Sequence, residues 1–108
     1  MATVLEKVRR LEQYIETRAG YADRVLESTL DKILQREHDQ LQSQITRLRD
    51  QLAVFEDRYG LSTPEFYERF EHGEMGDDAD FFEWSATWEM VQDLQADLEL
   101  LQGETTTA

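Results

Sequence analysis

The sequence predicts an all-α protein in which a long helical rod is followed by a short helix and an antiparallel return helix, forming a dimeric helical bundle or coiled coil. The chain of 108 residues is 40% hydrophobic and 32% charged, with one proline and no cysteine, a composition typical of charge-rich helical proteins. Apolar residues recur at alternating spacings of four and three, as one face of a helix requires. Nine of the eleven aromatic residues lie between positions 55 and 88. Because large rings bury the most area, we expect the chain to fold back on itself there.

The first predicted segment, residues 1–58, is a long helix that begins with an amphipathic stretch. Gly20 interrupts this segment, and a glycine inside a helix costs about 1 kcal/mol relative to alanine. The glycine therefore marks either a weak point in one helix or a short connection between two helices. The apolar face that precedes it consists of Val4, Val8, Leu11 and Ile15.

Beyond Gly20 the helical pattern continues to Arg58, although it loses register near His38. It recovers as a regular seam of the kind found in coiled coils. The seam consists of Leu41, Ile45, Leu48, Leu52, Phe55 and Tyr59. A helix from about Tyr21 to Arg58 would be about 57 Å long at 1.5 Å per residue, and the return helix is long enough to cover only its second half. We therefore expect the first 35 residues or so to expose an apolar face for dimerisation or for another protein.

The second predicted segment, residues 59–103, contains the short helix and the return helix, with an aromatic core and an acidic surface. Ser62 and the acid three residues later match a capping box, and Thr63 followed by Pro64 matches a cap before a proline in the first turn. Either assignment begins the short helix. Residues 104–108 are expected to form a disordered tail.

Glycines and acids mark the other helix ends in this segment. Gly60 is expected to end the rod in a left-handed cap, Gly73 the short helix and Gly103 the return helix. Asp77 or Asp78 is expected to cap the start of the return helix, where an acid also faces the positive end of the helix dipole. The apolar side of the return helix consists of Phe81, Trp84, Trp88, Val91, Leu94, Leu98 and Leu101.

The net charge of −13 is concentrated in the second half of the chain. Residues 1–58 carry ten Lys and Arg against eleven Asp and Glu, a net charge of −1, whereas residues 59–108 carry one Arg against thirteen acids, a net charge of −12. Such a field repels nucleic acid and anionic lipid and attracts basic proteins. We therefore expect a basic protein partner and no direct contact with nucleic acid.

Nothing in the sequence predicts an association with membranes. The N-terminus becomes charged within its first seven residues, unlike a signal peptide, and no stretch has the apolar length of a membrane span. The lack of cysteine agrees with a reducing compartment. We expect a cytoplasmic protein.

The stretch from residue 55 to residue 90 resembles a block found in small acidic all-helical prokaryotic proteins of uncharacterised or antitoxin-like type. The matching elements are Phe55-Glu56, Tyr59-Gly60, Ser62, Glu65-Phe66-Tyr67, Phe70, Gly73-Glu74, Gly76-Asp77-Asp78 and Asp80-Phe81-Phe82-Glu83-Trp84. The resemblance covers about a third of the chain. It implies one member of a toxin-antitoxin pair that binds a small toxin. Many antitoxins also carry a DNA-binding domain, and this chain departs from them because it has no helix-turn-helix or ribbon-helix-helix pattern.

No catalytic signature is present, and we predict neither an enzyme nor a cofactor. His72 lies among several acids, but their order does not match a calcium-binding loop, so helix capping and solvated acids explain them better than a metal. His38 is expected to be a solvated position of the rod rather than a pH switch. Aromatic residues at helical spacing form a core more often than a ligand pocket. Phe82 is the exception, because it points about 100° away from its neighbour Phe81 around the helix and suggests a second contact surface.

Three functions are compatible with these patterns. The first is an antitoxin-like interaction protein that occludes a basic toxin or enzyme, and the second is a homodimeric coiled-coil scaffold or adaptor. The third, an all-helical binding or catalytic domain, has the least support. The residues predicted to bind a partner in the first function are Val4, Val8, Leu11, Ile15, Asp77, Asp78, Asp80, Phe82 and Glu83.

Overall fold

A computed structural model describes residues 2–18 and 23–103 of the chain. These residues form four α-helices and contain no strand: α1 (Val4–Thr17), α2 (Arg24–Tyr59), α3 (Thr63–Glu71) and α4 (Ala79–Gln102). The predicted all-α fold, with a long helix followed by a short one and a long return helix, is confirmed.

The chain divides into two compact units, Met1–Gln35 and Arg36–Ala108. In the first unit, α1 begins with a capping box: the Thr3 hydroxyl accepts a hydrogen bond from the Glu6 backbone N–H at 3.1 Å, and the Glu6 carboxylate accepts one from the Thr3 N–H at 3.2 Å. The helix ends at Thr17, and α2 begins at Arg24. Gly20, predicted as a weak point or a connection, lies outside the described residues. No residue of α1 is buried.

The core of the second unit lies between α2 and α4. It consists of Ile45, Leu52, Phe55, Phe66, Trp84, Val91 and Leu98, all buried. The two helices are antiparallel, because Tyr59 at the end of α2 contacts Phe81 at the start of α4, whereas Leu48 lines a groove with Leu94, farther along α4. The seam predicted along α2 faces this core, as does the predicted apolar side of α4.

Trp84 is the centre of the aromatic core and is completely buried. Its ring stacks on Phe66 with centroids 3.8 Å apart and planes 4° apart, and it lies 5.6 Å from the Phe55 ring. The indole N–H donates a hydrogen bond to the Thr63 hydroxyl at 3.0 Å. The buried indole therefore has its polar group satisfied, as buried tryptophans usually do.

The short helix α3 is held by polar contacts at both of its sides. Ser62 is the N-cap and accepts a hydrogen bond from the Glu65 N–H at 3.3 Å. The Glu56 carboxylate on α2 accepts a hydrogen bond from the Thr63 N–H at 2.7 Å, and the Tyr67 hydroxyl donates one to Glu89 on α4 at 2.8 Å. Of the two predicted caps, the structure uses Ser62.

The remaining helix ends agree with the sequence. Gly60, Gly73 and Gly103 follow α2, α3 and α4 with φ of 64°, 71° and 75°, the left-handed conformation in which glycine is favoured. Asp78, rather than Asp77, caps α4 and accepts a hydrogen bond from the Asp80 N–H at 2.8 Å. The predicted tail, 104–108, lies outside the described residues.

Candidate partner-binding surfaces

The predicted acidic residues lie around the first turn of α4, but they are not equally available to a partner. Asp80 forms an ion pair with Arg58, whose Nη1 lies 2.7 Å from Oδ2. The same oxygen accepts a hydrogen bond from the Tyr59 hydroxyl at 2.6 Å. Asp80 therefore joins the start of α4 to the end of α2, a structural role that the sequence did not predict.

In the cluster of Arg58, Tyr59 and Asp80, each side chain stabilises the protonation state of its neighbours. The hydrogen bond from Tyr59, together with that from Arg58, lowers the pKa of Asp80 below its usual value. The same contacts with Asp80 raise the pKa of Arg58 and the pKa of Tyr59. Asp80 is consequently held as a carboxylate and Tyr59 as a neutral phenol, the states in which the ion pair and the hydrogen bond exist together.

Asp77 and Glu83 remain for contacts with another molecule. Asp78 is engaged in capping, although its side chain is exposed. Asp77 and Glu83 are exposed, and within the described residues neither side chain has a hydrogen bond or an ion pair. These side chains can therefore pair with external cations without breaking a contact of the fold.

Phe82 lies in the first turns of α4, next to Glu83 in the sequence. Its side chain is 54% exposed, and one edge packs on Phe70 in a T-shaped arrangement with centroids 5.5 Å apart. Phe81 instead packs inward against Tyr59 and Phe66. The predicted divergence of the two neighbouring phenylalanines is confirmed. We call the group of Asp77, Asp78, Phe82 and Glu83 the acidic corner.

The apolar residues predicted as a contact face on α1 belong to the first unit. Val4 is 78% exposed and Val8 is 56% exposed, whereas Leu11 and Ile15 are half-buried. The face is thus most open in the first two turns of the helix. Leu5 is also mostly exposed there and extends the apolar surface beyond the predicted stripe.

The histidines contact local groups. The His72 ring is 2.7 Å from the Glu68 carbonyl oxygen, through Nδ1, and His38 is 3.3 Å from the Asp39 carboxylate. Contrary to the solvated position predicted for it, the His38 residue is half-buried. Among the described residues no group of three or more His, Asp or Glu side chains is arranged to hold a metal ion.

A surface groove between α2 and α4 was not anticipated from the sequence. Its volume is about 430 Å³. It is lined by Gln44, Arg47, Leu48, Gln51, Met90, Asp93 and Leu94. Met90 lies four residues before Leu94, at helical spacing, and this was the sequence signal that could have indicated a second apolar stripe on α4.

Within the described parts of the chain, no helix combines the length and the apolar character needed to cross a membrane. Comparisons with protein-family models, with curated proteins and with solved structures found no significant match to this chain.

Proposed function

We propose that this chain is a non-catalytic, antitoxin-like protein that binds a basic protein, such as a small toxin, and neutralises it by occlusion. The observation that carries the proposal is the acidic corner, where an exposed phenylalanine and exposed carboxylates occur together at the start of α4. An exposed aromatic side chain in this setting is suited to anchor a partner, because buried aromatic anchors dominate the energy of many interfaces.

The charge of the chain supports the same partner. The net charge of −12 on residues 59–108 raises the rate of encounter with a positively charged surface, and carboxylates in the same region as an apolar anchor select against acidic partners. If the partner has a basic cleft, the acidic corner would bind over that cleft and cover it. The apolar face of α1, formed by Val4, Val8, Leu11 and Ile15, is most exposed at Val4 and Val8 and offers a further contact.

A second candidate function is that of a homodimeric scaffold, and the first unit favours it. Residues 1–35 carry six basic and six acidic side chains, so their association would not be opposed by net charge. Their exposed apolar side chains include Val4, Val8, Val25 and Ile33. In this alternative the protein has no toxin or enzyme as its target.

The deciding experiment is a pull-down with the tagged protein from cells that naturally produce it, washed at increasing salt. The test variant is Asp77→Asn/Glu83→Gln, and the matched control is Asp97→Asn/Glu99→Gln, which removes the same charge from exposed positions near the other end of α4. A basic partner should be retained by the control and lost by the test variant. Phe82→Ala should weaken the complex by about tenfold or more, as expected for an aromatic anchor.

The partner identified in this way should arrest growth when it is expressed alone, and the arrest should be relieved by co-expression of this chain. A partner that binds the test and control variants equally would remove the acidic corner from the interface. A homodimer that binds nothing else would contradict the antitoxin-like function and favour the scaffold.

A further inference from the structure

The groove between α2 and α4 is the open face of the helical hairpin in the second unit. Every residue that lines it comes from these two helices and none from α3, which packs near the other side of the pair, beside Arg49 and Trp88. A second depression continues the groove toward the end of α2. It is lined by Gln51, Val54, Phe55, Arg58, Asp80 and Glu83.

The floor of this face is apolar. Met90 is 50% exposed and Val54 is 54% exposed, while Leu48 and Leu94 are half-buried. A further helical layer placed on the face would bury these four side chains. Two helices in one layer and two in the next make a four-helix bundle, a common solution for covering such faces.

The two walls of the face carry opposite charges. The α2 wall holds Arg47, and the α4 wall holds Asp93 across the same groove. Both side chains lie in the described part of the chain, and no ion pair joins them within it. Toward the end of α2, Arg58 on α2 and Asp80 on α4 again place a basic residue opposite an acid, and these two side chains already form an ion pair with each other. With Glu83 included, the residues that line the face carry two arginines against three acids, so the face is close to neutral on a strongly acidic chain.

The order of the charges determines how a second copy can dock. A two-fold axis parallel to the helices places α2 of each copy over α4 of the other at the same height, so that each Arg47 lies opposite Asp93 of the second copy. An axis perpendicular to the helices would instead place like walls together, with arginine against arginine and acid against acid. The parallel axis is the arrangement that the charges favour.

The size of the face suits a dimer. The α2 residues that line the groove and the second depression run from Gln44 to Arg58, about 21 Å by helical rise, and two adjacent helices are about 20 Å wide. Each copy would therefore contribute roughly 400 Å² in projection, and more as accessible area over side chains. With that addition the buried area approaches the lower bound of stable, specific interfaces.

We propose that the open α2/α4 face is a self-docking surface, on which a second copy of this chain packs in two-fold symmetry with reciprocal Arg47–Asp93 pairs. This association is centred on Arg47 and Asp93, away from Asp77, Asp78 and Phe82 of the acidic corner, and only Glu83 lies at the edge of both surfaces. It does not depend on the existence of a basic partner and leaves α3 and Phe82 outside the dimer interface.

The test is sedimentation velocity on the purified full chain over a range of concentrations. Arg47→Glu and Asp93→Arg should each raise the Kd of the dimer by about tenfold or more, because each change acts twice in a symmetric dimer. The combined Arg47→Glu/Asp93→Arg variant should recover most of the affinity. Arg49→Glu makes the same change of charge on the other side of α2 and should leave the Kd unaltered.

A cysteine probe tests the face independently, because the chain has no cysteine of its own. Under mild oxidation, Gln51→Cys should give a covalent dimer, whereas Gln92→Cys, at an exposed position of α4, should not. Thermal melting of each variant confirms that it is folded. A monomer at all concentrations, a dimer insensitive to the charge reversals, or failure of the combined variant to recover affinity would each overturn the proposal.

Discussion

The hydrogen bond between Trp84 and Thr63 satisfies the polar group of a completely buried ring. Thr63→Val keeps the shape of the side chain but leaves the indole N–H without an acceptor. We predict a loss of about 1–3 kcal/mol in the free energy of unfolding, since a buried unsatisfied donor costs about that much. Urea denaturation followed by circular dichroism measures the loss.

The matched control for this change is Thr63→Ser, which keeps the hydroxyl and removes a methyl group. It should cost less than Thr63→Val if the hydrogen bond is the main contribution. Equal losses for the two variants would show that packing of the methyl group, and not the acceptor, stabilises this position.

The Arg58–Tyr59–Asp80 cluster predicts a dependence of stability on pH. The pKa of Asp80 is lowered in the folded state by its hydrogen bonds with Tyr59 and Arg58. A lowered folded pKa contributes stability at pH values above the unfolded pKa, and this contribution is lost as the pH falls through the folded value. Asp80→Asn should therefore be less stable than the wild type at neutral pH, and the difference should shrink as the solution becomes acidic.

Thermal melting at a series of pH values between about 7 and 2 measures this difference across the range in which aspartates titrate. Asp77→Asn is the control, because it removes a neighbouring carboxylate that lacks an ion pair. A constant gap between Asp80→Asn and the wild type at every pH would contradict the proposed linkage.

At the scale of the helices, the sequence was sufficient to predict those features that depend on residues close together in the chain. The seam from Leu41 to Tyr59 follows the period of a helix, and caps such as Ser62 and Asp78 act within three residues of their partners. Such features are encoded by spacing alone, so the helices and the core side of α4 could be predicted.

The contacts between helices could not be predicted in the same way. Asp80 was expected to bind a partner, yet its ion pair with Arg58 spans 22 positions of the chain. The groove beside Met90 likewise depends on how α4 is rotated against α2. Spacing places a residue on a face of its own helix, but the neighbouring helix decides whether that face is covered.

The short helix α3 illustrates the difference between local and tertiary signals. An isolated helix of nine residues would be marginal in water. Here Phe66 is completely buried, and the Tyr67 hydroxyl donates a hydrogen bond to Glu89. That hydrogen bond and the nearby Glu71 carboxylate raise the pKa of Tyr67, so the phenol remains protonated as the donor that joins α3 to α4.

At the scale of the whole molecule, the two units differ in how they are stabilised. Every residue that is buried among those the structure describes belongs to Arg36–Ala108. We predict that a chain beginning at Arg36 keeps the cooperative thermal transition, with a shift in Tm of less than about 8 °C, equivalent to about 1 kcal/mol for a domain of this size. Near-ultraviolet circular dichroism during heating reports the aromatic core directly.

The complementary fragment, Met1–Gln35, is the control and should show no such transition, because none of its described residues is buried. Loss of the cooperative transition from the longer fragment would contradict the prediction and would make the first unit part of the same folding unit. The fragment comparison therefore assigns stability to one part of the chain.

The stacking of Trp84 also gives the molecule an internal optical reporter. Its indole is dry, parallel to the Phe66 ring and hydrogen-bonded to Thr63, whereas Trp88 is partly open to solvent. The two tryptophans of the chain therefore sense different surroundings, and only Trp84 is completely buried at the junction of α2, α3 and α4. A ligand that loosened this junction would shift the emission wavelength of Trp84 without contacting its ring.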